Sequence, residues 1–284
     1  MNLSVVIPAK NEAQALGDLL AKLKGLYPDA EVIVVNDGSE DNTSDICASH
    51  GVIEIRHLYS KGNGSAIKSG ARRASGDVIV FMDGDGQHDP AYIELLLEKI
   101  EAGHDLVVGA RIKGGQASVY RGVANRIYNW LSSRMVGHKV LDLTSGMRAV
   151  RAELFKEIIP LLPNGFSYPT TSTMAFYRQG YSVDFVPIDV KNRLGKSHIR
   201  PIKDGIRFFL IIFKIGTLYS PLKIFTPISA GLFLLGLSYY LYTFVHFHRF
   251  TNMSAILFIS AMLTFLLGFI SEQITTLLYK DLGK

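Results

Sequence analysis

Val78-Ile79-Val80-Phe81-Met82-Asp83-Gly84-Asp85-Gly86-Gln87-His88-Asp89 runs an unbroken apolar stretch into two carboxylates one residue apart. A short apolar run closed by turn residues reads as a buried strand. The glycines beside the carboxylates let the backbone turn tightly enough to aim both at one point. Paired hard-oxygen ligands suit Mg²⁺ or Mn²⁺, which keep coordination positions open for phosphate oxygens. A β-turn rich in Asp and Gly is written in the same letters, so the neighbouring sequence has to separate the two readings.

Upstream, the β-branched run Leu3–Ile7 stops at Pro8, and Glu12–Leu26 carries Leu16, Leu19, Leu20 and Leu23 at helical spacing. The pattern repeats. Glu31–Val35 ends at Asn36-Asp37-Gly38-Ser39 and leads into a polar helix from about Asn42 to Ser49; Val52–Ile55 is followed by a helix from about Ser65 to Ala74, then by the strand Val78–Met82. Nearly continuous apolar strands alternating with helices predict a parallel sheet covered on both faces. Ligands of such sheets bind beyond the carboxyl ends of the strands. Pro8 to Glu12, Asp37 to Ser39 and Asp83 to Gln87 are therefore expected along one rim, which favours the metal reading over a bland turn.

Gly62-Asn63-Gly64 imitates part of a dinucleotide fingerprint, but the third glycine is missing and the segment follows the third strand instead of the first. No G-x-x-x-x-G-K-[ST] sequence is present, which excludes a P-loop NTPase. Lys61 with Gly62 and Gly64 can bring a cation and close backbone approach to a phosphate, and a helix-entry turn has the same composition.

The 284 residues carry 30 Lys and Arg against 25 Asp and Glu, a modest excess concentrated between Lys191 and Lys223. Basic residues beside an apolar tail point to anionic headgroups or phosphates and not to nucleic acid. Cys47 is the single cysteine, so neither a disulfide framework nor a Cys-rich zinc site can form. No basic segment leading into a long apolar core opens the sequence, and the expectation is that the first part stays in the cytoplasm.

Taken in order, Pro8-Ala9-Lys10-Asn11-Glu12, Val35-Asn36-Asp37-Gly38-Ser39, Lys61-Gly62-Asn63-Gly64-Ser65-Ala66 and Asp83-Gly84-Asp85-Gly86-Gln87-His88 resemble the successive signatures of family-two glycosyltransferases. The likeness covers roughly the first two hundred residues and is to the dolichyl-phosphate mannose synthases and their bacterial polyprenyl-phosphate relatives. It implies an α/β GT-A fold that binds a nucleotide-sugar and a divalent metal. Carried over by position, Pro8, Ala9, Asn11, Glu12, Asp37, Lys61, Gly62 and Asp83 surround the nucleotide-sugar, while Asp83, Asp85 and Gln87 hold Mg²⁺ or Mn²⁺.

Asp105–Arg111 reads as a further strand, and a helix is expected over Val119–Val136. In the enzymes it resembles, arginines at the positions of Arg111 and Arg126 meet the acceptor's lipid phosphate. Planar guanidinium donors match phosphate oxygens, although charges on a helix also simply face solvent. Asp142-Leu143-Thr144-Ser145-Gly146-Met147-Arg148 resembles the family's D-x-T-S-G-F-R and adds Ser145 to the acceptor residues. Asp85, Arg111 and Arg126 are the expected catalytic set. The Glu-Asp pair and the Q-x-x-R-W of processive synthases are absent. A lipid phosphate is already anionic and needs no general base, so their absence favours phosphate over hydroxyl as nucleophile. Pro169-Thr170-Thr171-Ser172-Thr173 stands where the family usually places a glutamate. Arg193-Leu194-Gly195-Lys196-Ser197-His198 resembles its basic R-x-x-G-x-S-K loop, which puts Arg193 and Ser197 near the donor pyrophosphate.

Between Pro221 and Tyr279 the only charged residues are Lys223, Arg249 and Glu272. Leu222–Phe247 and Met253–Leu278 each exceed the ~20 apolar residues that a crossing needs. Lys203, Arg207 and Lys214 share one face of an apolar segment, which fits a helix in the headgroup plane. The expected organisation is a catalytic domain over 1–200, an interfacial segment over 201–221 and a transmembrane hairpin over 222–284. Basic residues flank both ends of the hairpin, against Arg249 in its link, so both ends are expected in the cytoplasm. Glu272 pairs with a neighbouring subunit in a homo-oligomer, meets a headgroup or sits at the interface. Together these features predict a multi-pass membrane protein, an inverting, metal-dependent transferase of one sugar from a UDP- or GDP-sugar to a polyprenyl or dolichyl phosphate. Transfer to a lipid hydroxyl and a catalytically silent membrane anchor are the alternatives.

Overall fold

The computed structural model describes residues 1–111, 129–130, 132–165, 167–190, 213 and 216–280. Arg126, Arg193, Ser197, most of the expected interfacial segment and the start of the expected 119–136 helix lie outside the described residues. The chain forms two compact units, Met1–His198 and Ile199–Lys284.

The first unit alternates as the apolar runs predict: β1 (Leu3–Ala9), α1 (Ala13–Leu26), β2 (Glu31–Asn36), α2 (Thr43–Ser49), β3 (Ile53–Arg56), α3 (Asn63–Arg73), β4 (Val78–Phe81), α4 (Tyr92–Glu101) and β5 (Leu106–Arg111). They are followed by β6 (Arg148–Arg151), α5 (Ala152–Ile158), α6 (Tyr168–Arg178) and β7 (Val183–Ile188). Leu16, Leu19, Leu20 and Leu23 of α1 are buried as one stripe, against a core that includes Val5, Ile7, Val32, Val34, Val78 and Val80. Residues spaced i, i+3, i+4 and i+7 share a helix face, which is why this sequence buries as a helix on a sheet.

The sheet has seven strands in the order β3-β2-β1-β4-β6-β5-β7. It is not wholly parallel as expected: β6 runs antiparallel to both β4 and β5, with Phe81 opposite Arg148 and Val80 opposite Ala149. The direction of β6 matters for the site. Parallel strands β1, β2, β4 and β5 end at the rim, whereas the reversed β6 begins there. Its leading residues Thr144–Met147 are thereby delivered to the place that Asp83 and Arg111 reach from the other direction.

In the second unit, α7 (Pro221–Phe247, 27 residues) and α8 (Asn252–Lys280, 29 residues) form a hairpin. Both are long and apolar enough to cross a membrane. Their mutual contact uses every seventh position: Ser229, Gly236 and Thr243 on α7, and Ser254, Ala261, Gly268 and Thr275 on α8, all buried. Small residues at such spacing let two backbones approach closely. Ser229 Oγ donates to the Ala261 carbonyl at 2.7 Å, and a Cβ on Gly268 would come within 2.5 Å of Phe225 Cβ. Glu272 accepts the Leu222 N–H at 3.3 Å. A carboxylate at the first turn of α7 satisfies an otherwise orphaned donor and complements the helix dipole.

Candidate active site

A cleft of about 460 Å³ opens along the carboxyl ends of β1, β2, β4 and β5. Its lining includes Pro8, Ala9, Glu12, Asp37, Gly62, Asp83, Asp85, Gln87, Arg111 and Ser145, so the structure brings ten of the expected residues together. Asn11 and Lys61 flank the cleft without forming its wall. Asn11 is left-handed (φ 55°) and ties two rim loops together: its N–H donates to Ser39 Oγ at 3.0 Å, and its Oδ1 accepts from the Glu40 N–H at 2.9 Å.

Asp37 organises the loop after β3. Its carboxylate accepts from His57 Nδ1 (2.7 Å), Ser60 Oγ (2.8 Å), the Lys61 N–H (2.8 Å) and the Gly62 N–H (2.8 Å). His57, itself buried, uses Nε2 on Ser69 Oγ at 2.9 Å. Burial opposes ionisation of Asp37, yet these donors, led by His57, outweigh it and hold the carboxyl at about 2. A carboxyl depressed in the fold gives stability that is complete above its usual value near 3.8 and is lost as pH falls towards 2. Asp37→Asn is therefore expected to lower stability by about 2 kcal/mol at pH 7. Denaturant unfolding should show that gap closing as pH approaches 2. A gap that is independent of pH would contradict the assignment.

The start of α3 shows what the glycines of Lys61-Gly62-Asn63-Gly64 do locally. A Cβ on Gly62 would stand 2.6 Å from the Asn164 carbonyl oxygen, and one on Gly64 2.1 Å from that of Pro163. The Ser65 N–H donates to the Asn164 carbonyl at 3.0 Å. The Lys61, Gly62 and Ser65 amides thus all serve protein acceptors, and the glycines admit the 163–165 segment against the helix end.

In the same cleft, Arg111 forms a two-pronged pair with Asp142: Nε to Oδ2 at 2.7 Å and Nη2 to Oδ1 at 3.0 Å. Nη2 also donates to Thr144 Oγ1. Burial opposes ionisation of both partners, but each shifts towards its charged form because of the other. Asp142 was not among the expected site residues; the signal for it is a carboxylate two positions before the Thr144-Ser145-Gly146 turn.

Asp83 reaches the cleft directly against Gly146, where a Cβ would fall 2.2 Å from its Oδ2. His88 Nδ1 lies 3.9 Å from the same oxygen. Burial raises the Asp83 carboxyl and the like charge of Asp85 adds to this, against the pull of His88, Arg148 and Arg111. Among the described residues no three His, Cys, Asp or Glu side chains converge as a full metal cage. Two carboxylates with the Gln87 amide supply part of an oxygen shell, which fits a hard cation that completes its shell with phosphate oxygens and water. Asn63 Oδ1, His88 Nδ1 and Ser145 Oγ, three buried polar atoms without a hydrogen-bond partner among the described residues, all belong to residues lining this cleft. Buried polar atoms are ordinarily satisfied, so orphans that gather in one cavity mark it as a ligand site.

Residues 4–159 match the model of glycosyl transferase family 2, and residues 220–277 match the GtrB C-terminal hairpin. The chain belongs to glycosyl transferase family 2. This family-2 enzyme is 31% identical to an undecaprenyl-phosphate mannosyltransferase of Micrococcus luteus, over 69% of the chain and 87% of that protein. It is 31% identical to a dolichyl-phosphate hexose transferase of Haloferax volcanii, over 72% of the chain and 89% of that protein. In fold it resembles the glucosyl-3-phosphoglycerate synthase of Mycobacterium tuberculosis, solved with Mn²⁺, UDP and glucosyl-3-phosphoglycerate. There the TM-score is 0.59 at 22% identity, covering 75% of this chain and 78% of that one. The α/β GT-A architecture expected from the sequence is thereby established.

Proposed function

We propose that this enzyme transfers one sugar from a nucleoside-diphosphate sugar, UDP- or GDP-linked, to the phosphate of a polyprenyl phosphate at a membrane, with inversion. The observation that carries this reading is the meeting of two sets of residues in one cleft. Asp83, Asp85 and Gln87 line it together with Arg111, Thr144, Ser145 and Gly146. Arg111, Thr144 and Ser145 offer hydrogen-bond donors, and Asp142 beside them is bound by Arg111 and held in its charged form. A phosphate can be bound by these donors, and Asp142, engaged by Arg111, is not free to deprotonate an alcohol. The named acceptors of the 31%-identical relatives support the same class.

Asp83, Asp85 and Gln87 would hold Mg²⁺ or Mn²⁺, which when bound neutralises charge on the departing nucleoside diphosphate. Arg111, with Arg126, binds and orients the acceptor phosphate. In the single displacement, a phosphate oxygen forms a bond to the anomeric carbon as the bond from that carbon to the diphosphate oxygen breaks, and UDP or GDP leaves. Nothing needs to accept a proton, because the attacking oxygen is already anionic. The hairpin keeps the enzyme in the membrane that carries its lipid substrate. A screen of UDP- and GDP-sugars with undecaprenyl and dolichyl phosphates, read by mass spectrometry of the lipid product, tests the assignment. Failure to form any lipid-linked sugar would contradict it.

The same reading places both ends of the hairpin in the cytoplasm. Cys47 is buried, and burial, with Glu54 adding, pushes its thiol up to about 11, so it contributes little background labelling. Arg249→Cys, in the link between α7 and α8, is expected to react with a membrane-impermeant thiol reagent added to intact cells. A tag after Lys284 should be protected until the cells are opened. The reverse pattern would overturn the topology.

A further inference from the structure

His57 does not line the cleft, yet it is 5% exposed and both of its ring nitrogens are engaged. Its backbone N–H donates to the Asn36 carbonyl at 2.9 Å, just past the β2–β3 pairing, and Nε2 meets Ser69 Oγ of α3 at 2.9 Å. Nδ1 lies 2.7 Å from Asp37 Oδ1. An ionised carboxylate only accepts, so the hydrogen of this contact sits on Nδ1. One imidazole thereby ties the end of β2 to α3.

A carboxylate has about two acceptor positions on each oxygen. In Asp37, Oδ1 takes His57 and the Lys61 N–H, and Oδ2 takes Ser60 Oγ and the Gly62 N–H, so all four are filled by the protein. Three of these donors belong to Ser60–Gly62 itself. That stretch lies directly on Gly38, where a Cβ would stand 2.8 Å from the Ser60 nitrogen and 2.9 Å from the Tyr59 carbonyl carbon. His57 is the donor anchored elsewhere: sheet and helix hold the ring, the ring holds the carboxylate, and the carboxylate holds the loop. What the loop turns to the cleft is Ser60, Gly62 and Asn63. Asn63 Oδ1 is buried without a hydrogen-bond partner among the described residues. An ionised diphosphate has no donor to give it, whereas the hydroxyls and base N–H groups of a nucleoside-diphosphate sugar do.

We propose that His57 is a positioning residue for the sugar donor: through Asp37 it sets the Ser60–Asn63 part of the cleft, and nucleotide affinity depends on the hydrogen bond from its Nδ1. His57 does not touch the ligand. Binding groups work only when their supports hold them to within about half an ångström, and here the support is one buried ring. The proposal rests on the reading that a nucleoside diphosphate occupies this cleft; it does not depend on the acceptor.

Two polar replacements separate this role from packing. The amide nitrogen of His57→Asn reaches the place of Nδ1 and still donates to Asp37; that of His57→Gln reaches the place of Nε2, towards Ser69, and leaves Oδ1 short of a donor. Binding of UDP and of GDP, each with Mn²⁺, is measured on the full chain in nanodiscs, with a thermal melt of each variant. His57→Asn should bind the nucleotide within about twofold of wild type, and folded His57→Gln about tenfold more weakly. A packing role lowers the melting temperature of both and leaves the affinity of the folded protein alone. Equal affinities in the two variants, whether both near wild type or both weakened, overturn the proposal while the nucleotide reading stands. If wild type binds neither UDP nor GDP, the nucleotide reading falls and the proposal falls with it. Should His57→Gln not fold, His57→Phe, with a ring and no donor, takes its place in the same comparison; failure of both to fold makes His57 a packing residue and ends the proposal.

Discussion

Asp85→Ala is expected to yield a folded enzyme whose sugar transfer is slowed by roughly 10²–10³-fold, the usual cost of removing one preorganised contributor to charge stabilisation. Asp85 stands in the cleft within the turn that follows β4, and its carboxylate also accepts the Gln87 N–H at 3.1 Å. Losing that contact should cost about 1 kcal/mol of stability, too little to unfold the chain. The larger consequence falls on the leaving diphosphate, which departs poorly unless its charge is neutralised. Transfer rates measured at saturating Mn²⁺ together with a thermal melt separate the two effects. Unchanged turnover in the variant, or in wild type with excess chelator, would remove the metal from the account.

Gly146→Ala is expected to be nearly as damaging, for a different reason. The backbone at Gly146 does not have a positive φ, so alanine is conformationally allowed there. The obstacle is Asp83: the new Cβ would lie 2.2 Å from Oδ2, 2.7 Å from Cγ and 2.9 Å from Oδ1. Three atoms of one carboxylate cannot be relieved by a small adjustment, so Asp83 must swing out of place. A displacement of about 1 Å at a reacting centre costs on the order of 10²-fold in rate. Mn²⁺-dependent nucleotide binding should weaken in parallel while the melting temperature stays close to wild type. A variant that binds and turns over normally would show that Asp83 is not held where the site requires it.

Much of this architecture is legible in the sequence because β1, β2 and β4 are continuous apolar runs that leave their chemistry at one end. The rim follows from strand direction, and with it the meeting of Pro8, Asp37 and Asp85. β6 is not legible in that way. Arg148-Ala149-Val150-Arg151 has no apolar run, and periodicity carries no information on whether a strand runs parallel or antiparallel to its neighbours. Since β6 starts at the rim, missing its direction also hides why Gly146 meets Asp83. The hydroxyl run Thr170–Thr173 is visible as a departure from the family pattern, but its partner Arg148 is brought to it by tertiary packing alone. Gly62 and Gly64 announce a close backbone approach without saying whose backbone, and the answer is the 163–165 segment. Glu272 is visible as an ionisable residue in an apolar helix, while its contact with the Leu222 N–H depends on the register of the hairpin.

Lipid-phosphate transfer is tested most directly by offering the same enzyme polyprenyl phosphate and polyprenol side by side, with one nucleotide-sugar donor and Mn²⁺. Under the proposal that Arg111 and Arg126 bind the acceptor's charge and that no proton has to be removed, the phosphate should be glycosylated and the alcohol left unchanged. Arg111→Gln should weaken acceptor use by about 1–3 kcal/mol, the value of a charge-assisted contact, and leave nucleotide affinity close to wild type. Efficient glycosylation of the alcohol, with Arg126→Gln behaving as wild type, would contradict the account.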